Sequence, residues 1–236
     1  MTVDQLPLPF PHEAQYDAAD FIAGDSNAAA LAWLARTPEW PQLRLALWGP
    51  EGCGKTHLLH LWAARRQAPV LRGDALRLFP PATPLAVDDA DRAPERMLLH
   101  LLNAAAEAGL PILLAARAPP ARWPTALPDL ASRLRAATAV EIGAPEDSLL
   151  RALLARLLVE RHVKVNESVQ DWLLKRLPRT QAALREAAAR LDRAAYAAAR
   201  PVNRAIAADV LADLLQEDED LTQPPDIISS TDPQLL

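Results

Sequence analysis

Residues 49–56 read Gly-Pro-Glu-Gly-Cys-Gly-Lys-Thr and fit the pattern G-x-x-x-x-G-K-[ST] at every fixed position. The chemistry open to such a run is phosphate binding. Gly49, Gly52 and Gly54 can take backbone angles that a Cβ would forbid, so successive N–H groups can point at phosphate oxygens. Lys55 would reach the β- and γ-phosphates, and the Thr56 hydroxyl would ligate Mg²⁺. The chain holds 7 glycines and three of them sit in this loop, which sets it apart from an ordinary turn. We therefore read 49–57, with Pro50, Glu51, Cys53 and His57 as its other members, as the site for ADP or ATP with Mg²⁺. A second station is Leu85-Ala86-Val87-Asp88-Asp89, an apolar run ending in two carboxylates. Asp88 would hold the Mg²⁺ and Asp89 would polarise an attacking water. The plainer reading is a strand-ending Asp-Asp turn.

Other polar residues carry less. His57 and His60 stand one helical turn apart, with no third ligand at a spacing that would make a metal site. Cys53 has no His or acid placed to activate it and reads as a loop filler.

The elements that must position these groups follow from hydrophobic periodicity. Leu43 to Trp48 is an apolar strand leading into the loop, and 57–66 is an apolar-periodic helix leaving it. Ahead of them Asp25-Ser26 caps a helix running to about Arg36, which Thr37-Pro38 ends. After them come a short strand at Val70-Leu71, a short helix over 74–78, the strand at 85–89 and a helix from Pro94 to about Ala108, stopped by Gly109. A buried strand over 111–116, a helical segment over 129–135 and a final strand over 138–142 complete the pattern. Strands alternating with helices predict a parallel, three-layer α/β sheet. From Pro145 the strands stop, and helices over 146–161, 166–177, 180–199 and 203–215 predict a small all-helical second domain, a lid.

Composition bounds the function. With 236 residues and 50% hydrophobic content the chain can bury a sizeable core. The net charge of −5 argues against an extended nucleic-acid surface, so no strong direct DNA binding is expected. The single Cys53 cannot form an internal disulfide, no signal peptide is evident and no apolar run approaches the ~18 residues that span a bilayer. The expectation is a cytoplasmic protein without a membrane partner.

Both ends of the chain differ from its middle. Residues 1–15 contain Gln5-Leu6-Pro7-Leu8-Pro9-Phe10-Pro11, whose prolines favour an extended conformer with Leu6, Leu8 and Phe10 on one side. Such a segment is either a docking peptide or a strap over the protein's own core. Residues 216–236 carry the acidic run Glu217-Asp218-Glu219-Asp220 and read as a disordered tail. The predicted division is thus 1–15, 16–144, 145–215 and 216–236.

A phosphate loop in an α/β domain with a helical lid resembles the AAA+ ATPases. More narrowly, Leu127-Pro128-Asp129-Leu130-Ala131-Ser132-Arg133-Leu134, Leu173-Leu174-Lys175-Arg176-Leu177, Leu191-Asp192-Arg193-Ala194 and the Pro119-Pro120 break are similar to the DnaA-related Hda family. Gln5-Leu6-x-Leu8-x-Phe10 resembles the peptide with which replication proteins bind the DNA polymerase sliding clamp. The resemblance implies that Arg133 is an arginine finger acting in trans, that Gln5, Leu6, Leu8 and Phe10 dock on the clamp, and that the partner is DnaA. It implies negative regulation of replication initiation. It leaves a homodimer open, and the alternatives are an autonomous ATPase or remodeller and a DnaA-like initiation factor. Two positions depart from the family: Ala115-Ala116-Arg117 where a polar residue is usual, and Ala182 where the lid usually offers an arginine, with Arg179 and Arg185 nearby. These departures imply weak or absent turnover by the protein itself.

Overall fold

In chain order the protein lays down five short strands: β1 (Arg44–Trp48), β2 (Val70–Arg72), β3 (Leu85–Asp88), β4 (Ile112–Ala116) and β5 (Thr138–Glu141). They form one sheet in the order β2-β3-β4-β1-β5, and every neighbouring pair is parallel. The structure is a computed structural model and describes residues 21–198 and 200–215. Gln5, Leu6, Leu8 and Phe10 and the acidic run 217–220 lie outside the described residues.

Parallel strands need crossover helices, which cover both faces of the sheet. The pleat sorts the strand residues between the two sides. Leu45, Leu47, Leu113 and Ala115 pack with α1 (Ala28–Ala35) and α2 (Lys55–Arg66). Ala46, Ile112, Leu114 and Ala116 pack with α3 (Glu95–Glu107) and α4 (Pro128–Ala136). Because both faces are buried, these strands read as continuous apolar runs with no alternation to mark them. The expected three-layer sheet is what forms.

The remaining helices, α5 (Asp147–Glu160), α6 (Glu167–Leu174), α7 (Gln181–Ala198) and α8 (Arg204–Val210), build a separate core around Leu154, Leu173, Leu184 and Leu191. Asn166 and Asn203 start α6 and α8 by accepting the backbone N–H groups of Val169 and Ile206. A single bridge between Val165 and Val202 joins the segments that precede these two helices. Ile22, from the far end of the chain, also packs against this lid core.

Three local expectations are corrected. The helix expected over 74–78 is only a 3₁₀ turn, Gly73–Ala75, after which Leu76 turns extended and buries its side chain. Five residues cannot recover the cost of helix nucleation, whereas burying Leu76 against the α3 side of the sheet recovers apolar surface. The start of α1 is not capped by Asp25 or Ser26. Asn27 holds that position without a side-chain cap, and its amide instead bonds Gly24 N and Ile22 O. Asp25 N donates to Glu146 at the head of the lid. The last helix stops at Val210, short of 215.

Candidate nucleotide-binding site

The loop 49–56 joins the carboxyl end of β1 to the amino end of α2. Gly52 at φ 76° and Gly54 at φ 102° lie in backbone regions that a side chain would strain. Lys55 Nζ donates to the carbonyls of Gly49 at 2.8 Å and Pro50 at 2.7 Å, so its ammonium is held across the mouth of the loop. It also lies 3.6 Å from the buried Cys53 sulfur, which packs into the α2 side of the core as the filler the sequence indicated. Pro50 and Glu51 are exposed at the tip.

Behind the loop, Thr56 Oγ1 donates to Asp88 Oδ2 at 2.9 Å. This contact joins the two stations 32 residues apart in sequence. β3 brings Asp88 there because its carboxyl end stands at the same edge of the sheet as that of β1, with β4 between them. Asp89 leaves the strand in the left-handed conformation, φ 48°. Its carboxylate lies 3.8 Å from Arg92, and its backbone N–H donates to Asp88 Oδ1 at 3.1 Å. Asp88, not Asp89, is therefore the carboxylate in contact with the phosphate loop.

The remaining walls come from residues outside the phosphate-loop motif. Thr180 and Gln181 open α7, with Thr180 Oγ1 accepting from Ala183 N at 3.1 Å. A Cβ on Gly52 would come within 2.6 Å of Thr180, and one on Gly54 within 3.3 Å of Gln181 and 3.8 Å of the Phe21 ring. The loop therefore lies against the lid on one side and the chain entry on the other. Phe21 stacks edge-on against His57, 5.3 Å between centroids, and His57 is buried. The signal for the lid contact was present as Thr180 three residues before Ala183 in an N-cap pattern. The signal for Phe21 was only an isolated aromatic in an irregular connector.

Arg117 forms a 3.0 Å ion pair with Glu51 on the loop. Arg179 pairs with Asp147 at 2.6 Å and donates to Pro145 O at 3.0 Å. Ala182 is exposed. Burial holds the His60 imidazolium pKa below its ordinary value, with Asp88 opposing that effect and His57 adding to it.

Arg133 belongs to the opposite end of the sheet. α4 ends at Ala136 and β5 begins at Thr138, whose register partner on β1 is Leu45. Gly49 directly follows β1, four residues beyond Leu45, about 13 Å at strand rise. Arg133 pairs with Asp129 at 3.3 Å, one turn back on α4. Arg44, buried at the amino end of β1, has its charged form disfavoured by burial and then by the positive charge of Arg133. Upstream, Glu95 accepts from Ala126 N, Leu127 N and the Thr125 hydroxyl, fixing the turn from which α4 starts.

The arrangement fits a nucleotide with a hard cation. Glycine-held N–H groups, an ammonium and the amino ends of α2 and α7 favour anionic oxygens. The Thr56 hydroxyl and Asp88 carboxylate form an oxygen donor pair suited to Mg²⁺. When bound, the nucleotide would supply the phosphoryl group; the loop N–H groups, Lys55 and Thr56 would hold and orient it. Among the described residues there is no cluster of three or more His, Cys, Asp or Glu that could hold a metal alone. Nor is any described helix long and apolar enough to cross a membrane.

A parallel five-stranded sheet with a phosphate loop after β1 and a helical lid is the AAA+ fold. Domain III of the Thermotoga maritima replication initiation protein DnaA shares it, with a TM-score of 0.74 at 18% identity over 88% of this chain and 100% of that one. AMPPCP-bound DnaA from Aquifex aeolicus gives 0.58 at 20% identity, covering 68% of this chain and 60% of that one. The Thermotoga maritima RuvB Holliday junction branch migration motor gives 0.62 at 19% identity, over 81% of this chain and 70% of that one. No model of a known protein family matches the sequence.

Proposed function

We propose that this protein is a nucleotide-bound AAA+ adaptor. In this reading it docks on the DNA polymerase sliding clamp through Gln5, Leu6, Leu8 and Phe10, and its Arg133 stimulates ATP hydrolysis by DnaA, limiting re-initiation. The observation that carries the reading is the separation of the two stations: the phosphate loop stands at the carboxyl ends of the strands and Arg133 at the amino ends. An arginine so far from its own loop cannot serve the nucleotide held there, but it can reach one held by a neighbour. The Thr56–Asp88 pair and Lys55 support ADP or ATP with Mg²⁺ as the resident ligand, as does AMPPCP in the Aquifex aeolicus neighbour. Phe21, beside Gly54, would flank a base bound next to the loop. Arg117 paired with Glu51 and the exposed Ala182 support weak turnover by the protein itself.

The test mixes ATP-loaded DnaA, clamp-loaded DNA and the full chain. Stimulated hydrolysis that needs both the clamp and Arg133 supports the reading. Rapid ATP turnover by the isolated protein would replace it with an autonomous motor.

A further inference from the structure

Between α1 and α2, on the outer face of the module, runs an apolar groove of about 300 Å³. Leu31 and Leu34 form one wall, and Leu58, Leu61 and Trp62 form the floor and the other wall. Leu31, Leu34 and Phe21 pack on the α2 core yet stay partly exposed, so the face lacks a cover among the described residues. Arg65 and Arg66, both exposed, stand at the far end of the groove in the last turn of α2.

We propose that residues 4–10 of this chain occupy the groove, as an intramolecular latch. Three observations converge on that occupant. The chain enters the described structure at Phe21, which rests on His57. His57, Leu61 and Arg65 recur every four residues and share one face of α2, so the entering chain lies at the head of the stripe that leads down the groove. The lengths agree: His57 to Arg65 spans about 12 Å of helix, and the proline-alternated segment 5–10 spans about 15 Å when extended. The chemistry agrees as well. Leu6, Leu8 and Phe10 offer three apolar side chains to the floor, and residues 1–20 contain Asp4, Glu13, Asp17 and Asp20 but no Lys or Arg to oppose Arg65 and Arg66.

The latch rests on the groove alone. Its regulatory consequence rests on the clamp reading above, because the same side chains cannot fill both the groove and the clamp. Apparent clamp affinity then falls by the fraction of molecules that are unlatched.

Two measurements test this on the full chain. First, p-benzoylphenylalanine replaces Leu31, and the dilute protein is irradiated and mapped by mass spectrometry. Intramolecular crosslinks to residues 4–12, reduced in the Arg65→Glu/Arg66→Glu variant, support the latch. Crosslinks instead to 216–236, to a second copy, or to nothing within 1–20 overturn it. Second, clamp affinity of the full chain is compared with that of a free 1–15 peptide. A full chain weaker than the peptide by about threefold or more, recovering in the arginine variant, is expected; equal affinities overturn the regulatory consequence. Absence of clamp binding by both would defeat the clamp reading and leave the crosslink result to decide the latch.

Discussion

The two ends of the sheet carry different groups. At the carboxyl ends of the strands, left-handed glycines, the Lys55 ammonium and the Thr56–Asp88 pair stand together, a set of groups suited to an anion and a hard cation. At the amino ends, Arg44 is buried and bonded to Leu102 O at 3.3 Å, while Arg133 remains about one-third exposed beside it. Within a single copy, Arg133 and the phosphate loop stand at opposite ends of one sheet and cannot meet.

The largest expected effect is at Arg133. Arg133→Ala should leave the protein's own nucleotide affinity unchanged within about twofold while lowering partner-stimulated hydrolysis about 10³-fold, and lysine should not rescue it, because it lacks the planar fork. A variant that stimulates as well as wild type would remove the trans assignment. Lys55→Ala should do the reverse. By equilibrium dialysis, nucleotide affinity should fall about 10- to 100-fold, the worth of a charged hydrogen-bonding partner, with secondary structure intact. Equal binding by wild type and variant would move the nucleotide elsewhere.

Gly52→Ala probes the lid side of the same end. Its Cβ would meet Thr180 at 2.6 Å in a left-handed backbone, so we expect destabilisation of about 1–3 kcal/mol, or several degrees in melting temperature. An unchanged melting temperature would mean that the lid does not close on the loop in solution. The smallest effect belongs to Glu95, which steadies the start of α4. Backbone N–H groups of Ala126 and then the Thr125 hydroxyl hold its carboxyl pKa below the ordinary value. Its contribution is therefore present at neutral pH and lost as pH falls through the lowered value. Glu95→Gln should melt slightly below wild type at pH 7, and the gap should close in acid. A gap independent of pH would show that the charge is not what holds the turn.

The loop 49–56, the strand before it and the helix after it were legible in the sequence because the phosphate site is local, formed by residues that are neighbours along the chain. The two-carboxylate run was legible too, with Asp88 read as sharing the Mg²⁺ with Thr56 and Asp89 as the outer carboxylate, but the direction of the Asp89 side chain was not. Only the left-handed turn at Asp89 turns that side chain toward Arg92 and leaves Asp88 on Thr56. The short helix expected at 74–78 failed because propensity over five residues is weaker than the burial available to Leu76. Beyond the Thr180 N-cap pattern and the isolated Phe21, the contacts of these residues with the loop could not be read, since they join segments more than a hundred and about thirty residues away along the chain. By itself the sequence determined the chemistry of each station, because residue type and spacing fix which groups a strand, loop or helix can present. The tertiary structure decided where the stations face, because in a parallel sheet the register of β5 on β1 puts Arg133 at one end and the phosphate loop at the other.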